Sequence, residues 1–212
     1  MRKLTLLVLC FAFMLPLAAT ADSYTVSVGY ADGLRGTGFF PSPWQGDPGV
    51  IFVGTSGPGD DTGAIMITNT SGSAFTVNDV MVVIPGQLGG LYSFDLWGSN
   101  VVGAGQSLIL VNTAFYNFDT SDYSENGACS ANPSLIPTVN IRVNGNTTSF
   151  ADSGQVLNTH GFDFACTGNE SFRWREIGTT GDPAGTPEPS TLALLGTGSL
   201  GLLGSFKKRF LK

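Results

Sequence analysis

Residues 138–151, which read TVNIRVNGNTTSFA, contain the clearest structural signal in the chain. Polar and apolar residues alternate from Thr138 to Val143, and Thr147 to Ala151 is a second short run rich in Thr and Phe. Both runs are typical of half-buried strands. Asn144 and Gly145 separate them, and Asn-Gly is the pair that a two-residue hairpin turn prefers. We therefore predict a β-hairpin here.

Similar runs rich in Val, Ile, Phe and Thr recur along the body, and helical periodicity is almost absent. Turn residues separate these runs about every 8–12 residues, which favours two packed sheets over a helix-containing fold. The long run 75–84 reads as one bent strand or two, with Asn78 and Asp79 at the break. The other predicted strands are residues 24–30, 50–53, 64–68, 92–97, 107–112, 114–118, 155–157 and 171–177. The expected fold is all-β: an antiparallel β-sandwich, jelly-roll or immunoglobulin-like.

The first 21 residues have the pattern of a signal peptide. Met1-Arg2-Lys3 is a charged start, and the chain is then apolar to Ala19. Small residues ending at Ala21 form an A-x-A cleavage site before Asp22, within a residue or two. An uncleaved N-terminal anchor is the alternative. We predict an exported body spanning residues 22–177.

The other end of the sequence predicts a membrane segment. Residues 178–186 read as a flexible linker, and residues 190–206 are uncharged and mostly apolar. As a helix this run would be about 25 Å long, the short end of what a bilayer core needs. The basic tail 207–212 follows and favours the cytoplasmic side. We therefore predict one C-terminal transmembrane helix, with the body outside.

Residues 187–212 also resemble the PEP-CTERM sorting signal of Gram-negative bacteria. The resemblance rests on Pro187-Glu188-Pro189, the continuation STLALLG to Gly196, the glycine-containing span and the Lys207-Lys208-Arg209 finish. It implies an exosortase-type membrane enzyme as a partner, with Pro187, Glu188 and Pro189 as its substrate residues. It also implies transient anchoring in the inner membrane with the body in the periplasm. Delivery to the cell surface or an exopolysaccharide matrix would follow. A plain anchor that is never cut is the rival interpretation, and the resemblance assigns no activity to the body.

The charge of the body is strongly negative. Between residues 22 and 186 there are four arginines, no lysine and fifteen acidic residues, a net charge of −11. Such a field opposes nucleic acids and other polyanions. We therefore expect no nucleic-acid partner.

Two cysteines remain after the signal peptide, Cys129 and Cys166. In an exported protein an even pair most simply forms one disulfide. A metal pair or a reactive thiol has no supporting histidine spacing. We predict the Cys129–Cys166 disulfide.

The acidic loop 117–127 is a candidate calcium site. Asp119, Asp122 and Glu125 offer carboxylates at close spacing, and calcium takes six to eight oxygen ligands. The spacing does not match a known calcium loop, so solvated turns are the competing interpretation. Asp60 and Asp61 form a second, weaker candidate. No confident metal site and no other cofactor is predicted.

Three tryptophans and one histidine complete the candidates. Trp44 lies in a Pro/Gly-rich loop and could stack on a sugar ring, whereas Trp97 and Trp174 lie in strands and are expected in the core. His160 is the single histidine, and no G-x-S-x-G elbow accompanies it, which disfavours a hydrolase. We predict a non-enzymatic surface or matrix protein, structural or adhesive, with a carbohydrate-binding module as the alternative and a secreted hydrolase less favoured.

Overall fold

The computed structural model describes residues 22–35, 41–55, 61–95, 97–114, 117–123, 129–162 and 164–181. Residues 22–181 form one unit. The predicted signal peptide and its cleavage residue Ala21, the Pro187-Glu188-Pro189 tripeptide and the span 190–206 lie outside the described residues. No helix among the described residues is long and apolar enough to cross a membrane.

The unit is built mostly of strands. Among the described residues there is one short helix, α1 (Phe164–Thr167), and one 3-10 turn at Thr159–Gly161. The strands are β1 (Tyr24–Asp32), β2 (Val50–Val53), β3 (Asp61–Asn69), β4 (Phe75–Pro85), β5 (Leu91–Phe94), β6 (Asn100–Val102), β7 (Ser107–Leu110), β8 (Thr138–Val143), β9 (Asn146–Ala151) and β10 (Phe172–Thr180).

The strands form two sheets, as the sequence predicts. The first has the order β10-β1-β3-β7-β2, and the second has the order β5-β4-β8-β9 with β6 also paired to β4. Alternate residues of both sheets bury their side chains in one shared apolar cluster, which includes Val26, Ile67, Val82 and Ile141. This arrangement is consistent with a β-sandwich.

The prediction of a wholly antiparallel fold is wrong at one edge. β2 pairs with β7 in parallel, with Val50 opposite Ser107 and Val53 opposite Leu110. A short apolar run such as residues 50–53 reads alike in both directions, so its pattern carries no information on strand polarity.

The hairpin prediction is confirmed. β8 and β9 pair throughout, and Val143 lies opposite Asn146 across the turn. Asn144 and Gly145 have positive φ angles of 45° and 86°, as the preferred hairpin turn requires. β4 is one strand, with a register shift between Val77 and Asp79 at the break noted in the sequence.

Two predicted strands and the predicted start of the linker differ from the structure. Residues 155–157 lie in a loop, and Phe118 belongs to no strand. The linker begins too early at residue 178, because β10 continues to Thr180, which lies opposite Tyr24 in β1. Gly178 is part of this strand, and a Cβ there would lie 2.5 Å from the Phe150 ring. The glycine that suggested a linker is therefore a close-packing position.

The outer face of the first sheet is also partly covered. Ala64, Ile109 and Val111 are fully buried there, away from the shared cluster. Half-buried apolar side chains pack over them, namely Trp44, Val50, Phe52, Met66 and Trp174. A sheet covered on both faces accounts for the nearly continuous apolar run in β7.

Candidate functional site

Trp44, Phe52 and Trp174 form an aromatic patch on the outer face of the first sheet. Trp44 and Trp174 have ring centroids 5.9 Å apart with their planes at 36°, and Trp44 packs edge-on to Phe52 at 5.3 Å. Both indoles are half-buried, so part of each remains accessible to solvent. The patch joins a loop residue to two strands that are distant in sequence.

The Trp44 loop is held by a local turn. The Trp44 amide donates to the Asp47 carboxylate at 2.7 Å, and the Asp47 amide donates to the Trp44 carbonyl at 3.1 Å. The Val50 amide then donates to the Asp47 carbonyl, where β2 begins. Aspartate side chains commonly close turns of this kind. The turn therefore fixes Trp44 at the start of a sheet strand.

Trp174 is held from two sides. Its indole lies over Gly29 of β1, where a Cβ would be 3.0 Å from the ring, and its indole N–H donates to the Pro43 carbonyl at 3.0 Å. The prediction that Trp174 belongs to the core is wrong, since it lies on the outer face. For Trp97 the prediction of a core position is confirmed. Its side chain is 8% exposed, and its indole N–H donates to the Val111 carbonyl.

A carboxylate cluster lies at the end of β1. It consists of Asp32, Asp61 and Glu170, each with a carboxylate oxygen within 4.8 Å of the others. Asp32 and Asp61 meet because they lie opposite each other in the β1–β3 pair, and Glu170 lies just before β10. The Glu170 amide donates to the Asp32 carboxylate at 3.2 Å. These residues are far apart in the sequence, so no local sequence pattern predicts the cluster.

Arg35 neutralises part of this cluster. A single nitrogen, Nη1, contacts Asp32 at 2.8 Å, Asp61 at 2.9 Å and Glu170 at 3.3 Å. The guanidinium also lies 3.9 Å from the centre of the Phe164 ring. Arg35 engages one oxygen of each carboxylate, so the guanidinium and a divalent cation would compete for this cluster. Of the weaker calcium candidates, Asp61 is engaged in this way and Asp60 lies outside the described residues.

Burial shifts the acid–base properties around the cluster. Burial and then the charge of Asp119 raise the pKa of Asp61, against hydrogen bonds from Tyr30 and Arg35 that lower it. Burial and Asp119 also raise the pKa of the Tyr30 phenol. Desolvation lowers the pKa of the Arg35 guanidinium, but its hydrogen bonds and charge attraction to Asp32 and Asp61 make the net shift upward. The guanidinium thus stays charged beside the three carboxyl groups.

The loop predicted to bind calcium is only partly described. Asp119 accepts hydrogen bonds from the Tyr30 hydroxyl at 2.5 Å and from Ser121 at 2.9 Å. Asp122 is exposed, and Glu125 lies outside the described residues. Calcium binding at this loop stays a prediction.

A basic pocket lies beside β10, lined by Val156, His160, Phe172, Arg173 and Arg175. Its volume is about 400 Å³, within the range of small-molecule sites. The His160 ring lies 5.2 Å from the Phe172 ring. The sequence placed His160 in a loop, where the structure has it, but gave no sign that two arginines would join it.

The predicted disulfide is present between Cys129 and Cys166, with Cα atoms 5.4 Å apart. Cys166 lies in α1, so the bond ties this helix to the segment that follows the acidic loop. The described body is thus a mostly β protein with two sheets and one disulfide, a bond that is typical of oxidising compartments.

The family comparison concerns the segment after this body. The model of the PEP-CTERM protein-sorting motif matches residues 186–209, which agrees with the resemblance of residues 187–212. The chain therefore carries a PEP-CTERM sorting motif beyond a two-sheet body, and such a motif indicates export and processing by exosortase in Gram-negative bacteria. No curated protein and no solved structure matches the chain significantly.

Proposed function

We propose that this protein is a non-enzymatic adhesive component of the cell surface or extracellular matrix, which binds polysaccharide through the aromatic patch. Its export would use the N-terminal signal peptide, and the span 190–206 would anchor it in the inner membrane until exosortase acts. The sorting motif at residues 186–209 supports the route. The pairing of Trp44 with Trp174 supports the activity, and it carries the proposal.

The patch has the chemistry of a sugar platform. Sugar rings stack on the flat faces of aromatic side chains, and the two indoles lie 5.9 Å apart, each only half-buried. Turn hydrogen bonds fix the Trp44 backbone, and the hydrogen bond to the Pro43 carbonyl fixes the Trp174 ring, before a ligand arrives. A platform fixed in advance loses little entropy on binding. These features favour binding over a purely structural role.

A glycan-binding assay tests this proposal. The full chain, purified in mild detergent, is applied to an array of neutral and acidic polysaccharides. Trp44→Ala should weaken binding about tenfold or more, since a lost stacking contact of about 1.4 kcal/mol is a factor of ten. Tyr92→Ala is the matched control, because Tyr92 is an exposed aromatic on the second sheet. Absent glycan binding, or equal losses in both variants, would refute the proposal.

The hydrolase alternative has a separate test. His160 lies in the 3-10 turn Thr159–Gly161 with its ring against Phe172, which supports a packing role for the imidazole. Assays of the chain against polysaccharides and esters, with His160→Ala as control, should show no activity that depends on His160. Turnover that disappears in His160→Ala would show that the protein is an enzyme.

Sorting is tested by the intact mass of the native product. Processing by exosortase should give a chain that ends near Pro187. A chain that still ends at Lys212 would instead support a permanent anchor.

A further inference from the structure

We propose that the basic pocket is a second binding site, specific for a carboxylate carried on a six-membered ring. This site is separate from the aromatic patch, and nothing in the sorting motif requires it. The inference rests on the charge, the floor and the supporting loop of the pocket.

The pocket concentrates the positive charge of a strongly acidic protein. Only four arginines occur between residues 22 and 186, and two of them, Arg173 and Arg175, line this one cavity together with the single histidine. Both arginines are exposed, so their guanidinium groups are accessible to a ligand. Guanidinium groups bind carboxylates with two parallel hydrogen bonds. The net charge of the body repels anions, but the two arginines make this pocket locally positive.

The floor of the pocket is apolar and partly aromatic. Val156 is 3% exposed, and Phe172 is half-buried with His160 packed beside it. A flat ring can lie on this surface while a carboxylate on the ring reaches the arginines at the rim. A bare inorganic anion would use the rim only. A ring with a carboxylate therefore fits the pocket better than phosphate or sulfate does.

The loop beneath the pocket is held in an unusual backbone conformation. Gln155, Thr159 and His160 all have positive φ angles, between 46° and 61°, although none is glycine. Such conformations cost energy and cluster at binding sites, where the surrounding structure maintains them. His160 is thus held in position by its backbone.

Buried polar side chains maintain this loop. The Asp152 carboxylate accepts from the Leu157 amide at 2.8 Å, and the Gln155 side chain donates to the carbonyls of Asn132 and Leu135 at 2.7 Å each. Asn158 donates to the Leu135 carbonyl at 2.9 Å as well. Asp152, Gln155 and Asn158 are at most 6% exposed. These buried anchors hold the loop in one arrangement, as a preorganised site requires.

Arg175 is positioned by close packing against the same loop. A Cβ at Gly154 would lie 2.4 Å from the Arg175 Nη1 atom, so glycine is needed for the guanidinium to lie across this backbone. Burial raises the pKa of the nearby Asp152 carboxyl, and the charges of Arg175 and His160 lower it in part. Among the described residues Arg175 forms no ion pair within 4 Å, so close packing against this loop is what orients it.

Calorimetric titration of the full chain with glucuronate, benzoate, glucose and inorganic phosphate tests the proposal. Glucuronate and benzoate both carry the carboxylate on a ring, and their comparison distinguishes a sugar acid from an aromatic acid. At least one of them should bind about tenfold more tightly than glucose and phosphate, and added salt should weaken that binding. Equal or undetectable binding of all four probes would overturn the proposal.

Matched arginine variants locate the site. Arg175→Gln should weaken binding of the preferred acid about tenfold, whereas Arg142→Gln should leave it unchanged, because Arg142 is an exposed arginine on β8 of the second sheet. If Arg175→Gln does not fold, Arg173→Gln makes the same comparison. If Arg142→Gln weakened binding as much as Arg175→Gln does, only the net charge of the protein would matter, and the proposed site would be refuted. Trp44→Ala should have no effect, so failure here is distinguishable from failure of the aromatic patch.

Discussion

Replacement of Arg35 by methionine tests the account of the carboxylate cluster. Arg35 is the cation that contacts Asp32, Asp61 and Glu170, whose side chains are 0%, 12% and 1% exposed. Methionine has a similar length but neither charge nor donors. The variant would leave three acidic groups within 4.8 Å of one another without this counterion.

The expected loss of stability follows from the burial of these partners. Removal of one partner from a buried ion pair costs about 3–5 kcal/mol. The Arg35 side chain is 23% exposed, and solvent near it moderates the repulsion that remains. We therefore expect the free energy of unfolding to fall by about 2–4 kcal/mol, a large part of the stability of a typical domain.

The loss should depend on pH. Burial and Asp119 already raise the pKa of Asp61, and loss of the Arg35 hydrogen bond would raise it further. A carboxyl whose pKa is higher in the folded state adds stability at low pH and loses that contribution as pH rises through the folded-state value. The deficit of Arg35→Met should therefore be largest at neutral pH and shrink in acid.

Urea unfolding at pH 7 and pH 5 measures this deficit, with Arg142→Met as the matched control. Arg35→Lys adds a third comparison: because one guanidinium nitrogen makes all three ion pairs, a single ammonium should retain more stability than methionine. The reasoning is refuted if Arg142→Met is equally destabilised, or if the deficit of Arg35→Met does not change with pH.

Three further predictions concern the disulfide, a buried acid and the acidic loop. Replacing Cys129 and Cys166 by serine should lower the free energy of unfolding by about 4 kcal/mol for a separation of 37 residues, and a reductant should then have no further effect. Burial raises the pKa of Asp152, so wild-type stability falls as pH rises through that value; in urea unfolding, Asp152→Asn should gain relative to wild type from pH 4 to pH 7. If Asp119 and Asp122 bind calcium, added calcium should raise the melting temperature and a chelator should lower it, and no shift in either direction would end the idea.

Local rules account for the parts of the fold that the sequence predicted. The β8–β9 hairpin follows from Asn144-Gly145, because few other pairs adopt two positive φ angles at low cost. The break in β4 follows from polar residues inside an apolar run. In both places the determining interactions lie within a few residues of one another, so the pattern is sufficient.

The parts that the sequence did not predict depend on distant contacts. The parallel β2–β7 pair joins residues that are more than fifty positions apart, and neither strand alone indicates its partner. Trp174 has the alternation of a core strand residue, and only its position over Gly29 shows that it faces outward. The Val and Leu of residues 155–157 suggest a strand from the sequence alone. In the structure the Asp152 carboxylate accepts from the Leu157 amide and the Gln155 side chain donates to the Asn132 carbonyl, which holds these residues in a loop instead.

β10 contributes residues to both proposed binding sites, but these residues lie on different faces of the sheet. Trp174 lies over Gly29 on the outer face, whereas Arg175 lies opposite Val28, whose side chain is in the shared core. The Trp174 and Arg175 side chains therefore lie on opposite faces of the sheet, so one short ligand cannot contact both. A saturating ring carboxylate should therefore leave polysaccharide binding at the Trp44 side unchanged in a competition assay. Competition between the two ligands would show that they share one surface, and the division of β10 into two sites would then be wrong.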